Sequence, residues 1–146
     1  MSETDLIKLY SSRILALAAD MPRVGVLENA DAIIKKRAPL CGSTVTVALN
    51  VSNGVISDYA QDVKACALGQ AAASVVGASI VGCTTKQVVS ARDQLKAMLK
   101  NDGPVPDAPF DGLEVLLPAR DYKNRHDSIL LTLNASVEAI AQITGA

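Results

Sequence analysis

Two cysteines, one histidine and one aspartate are the side chains of this sequence best suited to chemistry. Cys41 and Cys66 lie in the first half of the 146-residue chain, whereas His126 and Asp127 are neighbours near its end. Thiolate sulfur, imidazole nitrogen and carboxylate oxygen together suit zinc or iron in a tetrahedral site. Because the sequence has no C-x-x-C pair, the fold must assemble such a site from distant residues.

A β-hairpin is predicted between the two cysteines. Residues 44–51 alternate apolar and polar side chains, which is typical of a strand with one buried face. The Asn53-Gly54 turn signal then predicts an antiparallel return over residues 55–64. With a two-residue turn, Cys41 faces Cys66 at the open end of the hairpin, with Cβ atoms about 5 Å apart. A bulge or a three-residue turn shifts that pairing by one position but leaves the cysteines near each other.

Helices are predicted on both sides of this hairpin. Apolar residues recur at helical spacing over residues 5–20, and Met21-Pro22-Arg23 ends that helix. Residues 22–43 are loop-rich, with room for one edge strand. After the hairpin, the small side chains of residues 67–81 predict a closely packed helix. Cys66 then lies at its N-terminus, where the helix dipole favours a thiolate.

The rest of the chain is predicted to be helical around one long loop. Thr84 and Gln87 have the spacing of a capping box, residues 101–112 have loop composition, and residues 113–117 form a short helical piece. Asp127 lies where the N-cap of the last helix is expected, a role that competes with metal binding. The buried stripe of this helix is predicted to be Ile129, Leu130, Leu133, Val137, Ile140 and Ile143.

Length and composition exclude several classes of protein. A chain of 146 residues with 49% hydrophobic residues predicts one domain over residues 1–146. A formal net charge of -1 argues against nucleic-acid binding, and no apolar run reaches the roughly 20 residues of a membrane span. Three cysteines without a secretory signal predict reduced thiols and a cytoplasmic protein.

The order of several motifs resembles the NifU/IscU/SufU-type iron–sulfur cluster scaffold proteins. Residues 9–32 and 38–43 are similar to the start of that family, in which a first helix ends in an N-P-R-N-x-G-like turn. Met21-Pro22-Arg23-Val24-Gly25 corresponds to that turn, and Cys41-Gly42-Ser43 resembles the family's C-G-D ligand motif. The segment His126-Asp127-Ser128-Ile129-Leu130 resembles its H-C-S-x-L motif.

This resemblance implies a fold and a set of ligands. The fold is α+β, with a small antiparallel sheet of about three strands and helices packed on one side. Cys41 and Cys66 match the first two ligand cysteines, and His126 matches the histidine of the IscU branch. Two positions depart from the family, because Asp127 replaces the third cysteine and Ser43 replaces the aspartate.

The resemblance also implies a function and partners. The chain is expected to be a scaffold rather than an enzyme, binding iron, a transient iron–sulfur cluster, or zinc as a resting-state metal through Cys41, Cys66, His126 and Asp127. A cysteine desulfurase and cluster-acceptor proteins are the implied partners. Since a carboxylate cannot form a persulfide, Cys66 or Cys41 must accept any sulfur. Cys83 has no family counterpart and is interpreted as a small buried or helix-end residue.

Three other interpretations stay open at this point, and the oligomeric state is not predicted. The chain could be a zinc-dependent sulfur-transfer partner of a desulfurase, or a metal-free family member that acts as an interaction module. A cysteine hydrolase that uses Cys66 and His126 is disfavoured, because the sequence contains no nucleophile-elbow motif.

Overall fold

A three-stranded antiparallel sheet forms the frame of the molecule. The computed structural model describes residues 11–40 and 42–145. The strands are β1 (Ala32–Arg37), β2 (Thr44–Ser52) and β3 (Val55–Lys64), in the spatial order β1-β2-β3. The two predicted hairpin strands are confirmed, and β1 is the edge strand for which residues 22–43 had room.

The hairpin between β2 and β3 has a two-residue turn followed by a bulge. Asn53 and Gly54 have φ angles of 53° and 75°, as a type I′ turn requires. Ser57 has no partner in the ladder, so the pairing shifts by one residue beyond it. The shift pairs Tyr59 with Leu49 on the buried face. The direct pairing extrapolated from the turn is therefore wrong beyond Ser57, and the bulge is the alternative that holds.

Four α-helices and one 3-10 segment complete the described chain. The first helix has Ser11 as its N-cap, whose Oγ accepts a hydrogen bond from the backbone N–H of Ile14. The predicted capping box of Thr84 and Gln87 is confirmed, because each side chain accepts a hydrogen bond from the other residue's backbone N–H. The helical elements are α1 (Ser12–Ala19), α2 (Ala67–Ser79), α3 (Thr85–Lys100), the 3-10 segment (Asp111–Asp121) and α4 (Lys123–Thr144).

The core lies between the sheet and the long C-terminal helix. Helix α4 packs on β1 and β2, while α2 and α3 pack on α4. From β2, Val45, Val47 and Leu49 point into this core and are at most 1% exposed. Alternation along β2 thus predicted the buried face correctly, and the predicted α+β fold is confirmed.

Two boundaries near the C-terminus differ from the predictions. Helix α4 begins at Lys123 with Tyr122 as its N-cap, so Asp127 lies in the second turn and the N-cap interpretation of Asp127 is wrong. The 3-10 segment also extends past the predicted residues 113–117 and runs through Pro118. Buried contacts of His126 support the additional helical turn.

Two further findings concern the ends and the helices of the chain. Residues 5–10 of the predicted first helix lie outside the described part of the chain. Within the described residues, none of the helices is long and apolar enough to cross a lipid bilayer.

Candidate metal centre

Cys66 lies at the junction between β3 and α2. The strand ends at Lys64 and the helix begins at Ala67, which makes Cys66 the N-cap residue, as predicted. Its side chain is partly exposed and forms no capping hydrogen bond. The first backbone N–H groups of a helix carry a partial positive charge. The thiol therefore has solvent access and lies beside the positive end of the α2 dipole.

One serine contacts the Cys66 sulfur directly, and a second serine contacts the first. Ser128 Oγ lies 3.6 Å from Cys66 Sγ and 3.1 Å from Ser43 Oγ. Both serine side chains are buried, Ser128 on α4 and Ser43 immediately before β2. These two contacts link the residue before β2, helix α4 and the start of α2 to one another.

Cys41 lies outside the described residues, but its neighbours on the C-terminal side do not. Gly42 and Ser43 line a depression of about 480 Å³ together with Lys64, Cys66 and Gln70. Gly42 and Ser43 therefore lie close to Cys66. The pairing of Cys41 with Cys66 itself stays a prediction.

His126 is held by the end of the 3-10 segment. Its Nε2 lies 3.0 Å from the carbonyl oxygens of both Ala119 and Arg120. Because a carbonyl oxygen can only accept, Nε2 must carry the hydrogen. The Nδ1 atom is buried, and within the described part of the chain it has no hydrogen-bond partner. A neutral His126 therefore presents an unpaired lone pair, the form in which imidazole binds metals.

Arg120 fixes the segment that holds His126. Its guanidinium group donates hydrogen bonds to the carbonyl oxygens of Met98, at 2.7 Å, and Gly103, at 3.0 Å. The C-terminal end of α3 is thereby tied to the carbonyl groups that orient the imidazole. Arg120 thus acts on the candidate site indirectly, by positioning the backbone that orients His126.

Among the predicted ligands, His126 and Cys66 do not face the same space. His126 lines a second depression, of about 410 Å³, with Arg120 and Lys123, whereas Cys66 lines the first. Successive residues of an α-helix point about 100° apart, so His126 and Ser128 point to nearly opposite sides of α4. Of these two residues, Ser128 is the one that contacts Cys66. In the part of the chain that is described, no three Cys, His, Asp or Glu side chains are grouped to hold one metal ion.

The fit to a metal or cluster is therefore partial. A partly exposed thiol and an unpaired imidazole nitrogen are suitable donors, but the structure does not bring them together with the half-buried Asp127. The predicted set of four includes the undescribed Cys41, and it stays a prediction.

Sequence reasoning missed Ser43 and Ser128 as members of this site. A signal was present, since Ser128 belongs to a run of small or hydroxylated side chains on α4 and meets a glycine-containing helix. The side of α4 concerned carries Ser128, Thr132, Ala135, Ser136 and Ala139.

Cys83 is apart from this site and behaves as predicted. Its side chain is buried, and its Sγ donates a hydrogen bond to the Ser79 carbonyl oxygen, 3.2 Å away. Burial raises the pKa of the Cys83 thiol, which disfavours the reactive thiolate.

Comparisons with known proteins agree on one family. Residues 9–126 match the family described as the NifU-like N terminal domain. A nitrogen-fixing NifU-like protein (N-terminal) from Brucella abortus has a crystal structure that superposes with a TM-score of 0.95. It is 44% identical and the similarity covers 97% of this chain and 98% of that one.

Two more distant proteins carry descriptive names. The iron–sulfur cluster assembly scaffold protein IscU of Thermotoga maritima is 24% identical over 136 residues, covering 93% of this chain and 95% of that protein. The putative iron–sulfur cluster assembly scaffold protein for the SUF system from Fervidobacterium islandicum AW-1 is 21% identical. With a TM-score of 0.80 over 92% of this chain and 98% of that one, it shows the same fold.

Proposed function

We propose that this chain, which belongs to the family of NifU-like N-terminal domains, is a scaffold for iron–sulfur cluster assembly. The cluster is its cargo, held for a time and then released to acceptor proteins. Such a protein binds stoichiometrically and has no catalytic turnover of its own. Two of the similar proteins bear names that describe this function.

The observation that carries the proposal is the placement of Cys66. Its partly exposed thiol lies at the start of α2, beside a depression that Gly42 and Ser43 also line. A cargo of metal and sulfide needs a ligand that solvent and partner proteins can reach. Cys83, which is buried and hydrogen-bonded within the chain, lacks that access.

The ligand set within this proposal is Cys41, Cys66, His126 and Asp127. Two thiolates supply soft ligands for iron, and mixed ligation of a two-iron cluster is chemically established. His126 would bind through Nδ1, because its Nε2–H is already engaged, and since Nδ1 is buried the cargo reaches it only when the start of α4 moves. Asp127 supplies a harder oxygen donor than the cysteine it replaces, so the cargo is expected to be held less tightly. Zinc is the resting-state metal that the same donors suit.

Sulfur delivery in this scheme comes from a cysteine desulfurase. Asp127 cannot form a persulfide, so the thiolate of Cys66 or Cys41 attacks the outer sulfur of the desulfurase persulfide, and the desulfurase cysteine leaves as a thiolate.

Anaerobic reconstitution tests the proposal. The purified protein is incubated with ferrous iron, cysteine, a cysteine desulfurase and a thiol reductant that converts persulfide sulfur to sulfide, and iron, sulfide and zinc are then measured per chain. The expected result is an absorption spectrum of a thiolate-bound cluster with stoichiometric iron and sulfide. The proposal is contradicted if reconstitution gives no cluster spectrum and the protein as purified contains no stoichiometric zinc.

A second candidate is a zinc-dependent sulfur-transfer partner of the desulfurase. One observation favours it: the Cys66 thiol is partly exposed and forms no capping hydrogen bond, so a desulfurase can reach it as a single acceptor. Intact-mass measurement after incubation with the desulfurase and cysteine separates the two. Added sulfur on Cys66 without bound iron supports transfer, whereas a cluster supports the scaffold. A protein that shows neither, and binds no metal, would be an interaction module.

A further inference from the structure

The geometry points to a role for Ser128 and Ser43, here called the serine pair, in positioning the sulfur ligand. Ser128 donates its hydroxyl hydrogen to Cys66 Sγ, and Ser43 in turn donates to Ser128. This inference rests on the proposed function, because it concerns Cys66 as a ligand of metal or cluster. The serine pair does not bind the cargo; it holds and polarises the sulfur that does.

Hydrogen-bond geometry sets Ser128 apart from the other buried serine of the same helix face. Ser136 Oγ donates to the carbonyl oxygen of Thr132 within its own helix, at 2.8 Å, a common local bond of helical serine. Its other contact is with the Tyr59 hydroxyl, 3.4 Å away and apart from Cys66. For Ser128, the hydrogen bonds in the described part of the chain go to other elements, 3.1 Å to Ser43 Oγ and 3.6 Å to Cys66 Sγ.

The direction of the hydrogen bonds follows from the chemistry of a ligated sulfur. A metal-bound thiolate has no hydrogen and can only accept. Ser128 has one hydroxyl hydrogen, which therefore goes to Cys66 Sγ. Its oxygen then accepts from Ser43. An ionised aspartate at position 43, as in the C-G-D motif, has no hydrogen to donate, so serine is the residue type that completes this arrangement.

Gly69 makes the close approach possible. It lies one turn after Cys66 on α2, and a Cβ built there would lie 2.5 Å from Ser128 Oγ and 3.1 Å from the Ser128 carbonyl oxygen. The missing side chain thus lets the first turn of α2 rest directly on Ser128. Cys66 reaches hydrogen-bonding distance because of that contact.

The expected effect is on the electronic state and affinity of the bound metal. Hydrogen bonds to ligating sulfurs and orientation of the ligands tune metal sites, and loss of an outer partner typically costs about 10- to 100-fold in affinity. A hydrogen bond to sulfur lowers the energy of its lone pair, so sulfur-to-metal charge transfer needs more energy. Removing the bond is therefore expected to move that band to longer wavelength.

Cobalt(II) titration of the full chain tests this role. The variants are Ser128→Ala, Ser43→Ala and the matched control Ser136→Ala, which removes a buried hydroxyl from the same helix away from Cys66. Ser128→Ala should move the sulfur-to-cobalt band to longer wavelength and weaken cobalt binding about tenfold or more. Ser43→Ala should shift the band in the same direction by less, and Ser136→Ala should match the wild type.

The outcomes separate the inference from the proposed function. If the wild type shows no thiolate–cobalt band, the proposed function fails, and the role of the serine pair fails with it. If the wild type shows the band and Ser128→Ala matches Ser136→Ala, only the role of the serine pair is overturned. Thermal unfolding checks that each variant folds, and Ser43→Ala decides the question if Ser128→Ala does not fold.

Discussion

At the scale of single residues, two exchanges distinguish this chain from the motifs it resembles. Ser43 stands in place of an aspartate and is buried against Ser128, so it is placed to donate a hydrogen bond rather than to bind metal. Asp127 stands in place of a cysteine and is half-buried in the second turn of α4. Under the proposed function, replacing a thiolate by the Asp127 carboxylate gives the cargo a weaker ligand, which favours its release.

Asp127→Cys is expected to strengthen cluster binding. A third thiolate is a softer ligand for iron than a carboxylate, so transfer of a reconstituted cluster to a chelator should slow about tenfold or more, in the range typical of changes around metal sites. The decay of the cluster absorption after chelator addition measures this rate. Asp93→Cys is the control, because it adds a thiol at an exposed position on α3 that lines neither depression. If Asp93→Cys slows transfer as much, Asp127 does not occupy a ligand position.

At the scale of elements, the hairpin was predictable because its signals are local. Alternation along β2 and the Asn53-Gly54 turn need no tertiary information. The bulge at Ser57 was not predictable as the outcome, because it arises from the need to place Tyr59 rather than Asp58 on the buried face. The packing of the whole sheet against the core therefore decided between direct pairing of the two strands and a bulge.

The start of α4 and the contact between Ser128 and Cys66 could not be predicted, because both depend on tertiary contacts that the local sequence does not encode. Lys123, Asn124 and Arg125 give no apolar periodicity, so the prediction placed the helix start at Asp127. The helix begins earlier, where the imidazole of His126 docks on the carbonyl oxygens of the 3-10 segment. Cys66 was predictable from its place after the hairpin, whereas the contact of Ser128 required knowledge of how α2 meets α4.

Gly69→Ala is expected to destabilise the fold and disturb the site together. The new Cβ would lie 2.9 Å from Ala65 Cβ as well as 3.1 Å from the Ser128 carbonyl oxygen, so α2 must move away from α4. Overpacking of this kind typically costs about 1–3 kcal/mol, which exceeds the roughly 1 kcal/mol gained from alanine in a helix. Urea unfolding measures the change in the free energy of unfolding.

The matched control for this substitution is Gly112→Ala. A Cβ at that position would lie 3.4 Å from Val75 Cγ1, an ordinary contact. Gly112→Ala should therefore change stability less than Gly69→Ala does. Equal stability of Gly69→Ala and the wild type would show that the helices do not approach as closely as described.

At the scale of the whole molecule, a buried polar cluster joins the sheet to three other elements. Gln61 is fully buried, and its amide nitrogen donates to the carbonyl oxygens of Pro22 and Ala73. Tyr59 donates its hydroxyl hydrogen to Gln61 Oε1, 3.3 Å away, and its oxygen lies 3.4 Å from Ser136 Oγ. These bonds fix the turn after α1, the middle of α2 and α4 against β3.

The buried phenol predicts a loss of stability at alkaline pH. Burial raises the pKa of Tyr59 above its usual range, and its contact with Ser136 opposes this only in part. The folded state therefore keeps a proton that the unfolded state loses above about pH 10. The contribution of Tyr59 to the free energy of unfolding is complete below that pH. It then falls by about 1.4 kcal/mol per pH unit as the pH rises.

Comparison with Tyr59→Phe isolates this effect. The variant removes the titrating group, so its free energy of unfolding should fall less steeply between about pH 9 and pH 11 than that of the wild type. Chemical denaturation at several pH values gives both slopes. Identical slopes would show that the Tyr59 phenol does not stay protonated in the folded state.

The central claim is that Cys66 is a ligand of the metal or cluster that this fold carries. Its most direct test is the amount of iron, sulfide and zinc bound per chain after anaerobic reconstitution of the wild type, Cys66→Ala and Cys83→Ala. Cys83→Ala removes a buried thiol elsewhere in the chain and serves as the matched control. We expect stoichiometric metal in the wild type and in Cys83→Ala, and its loss in Cys66→Ala. Metal bound to Cys66→Ala at the wild-type level would contradict the claim.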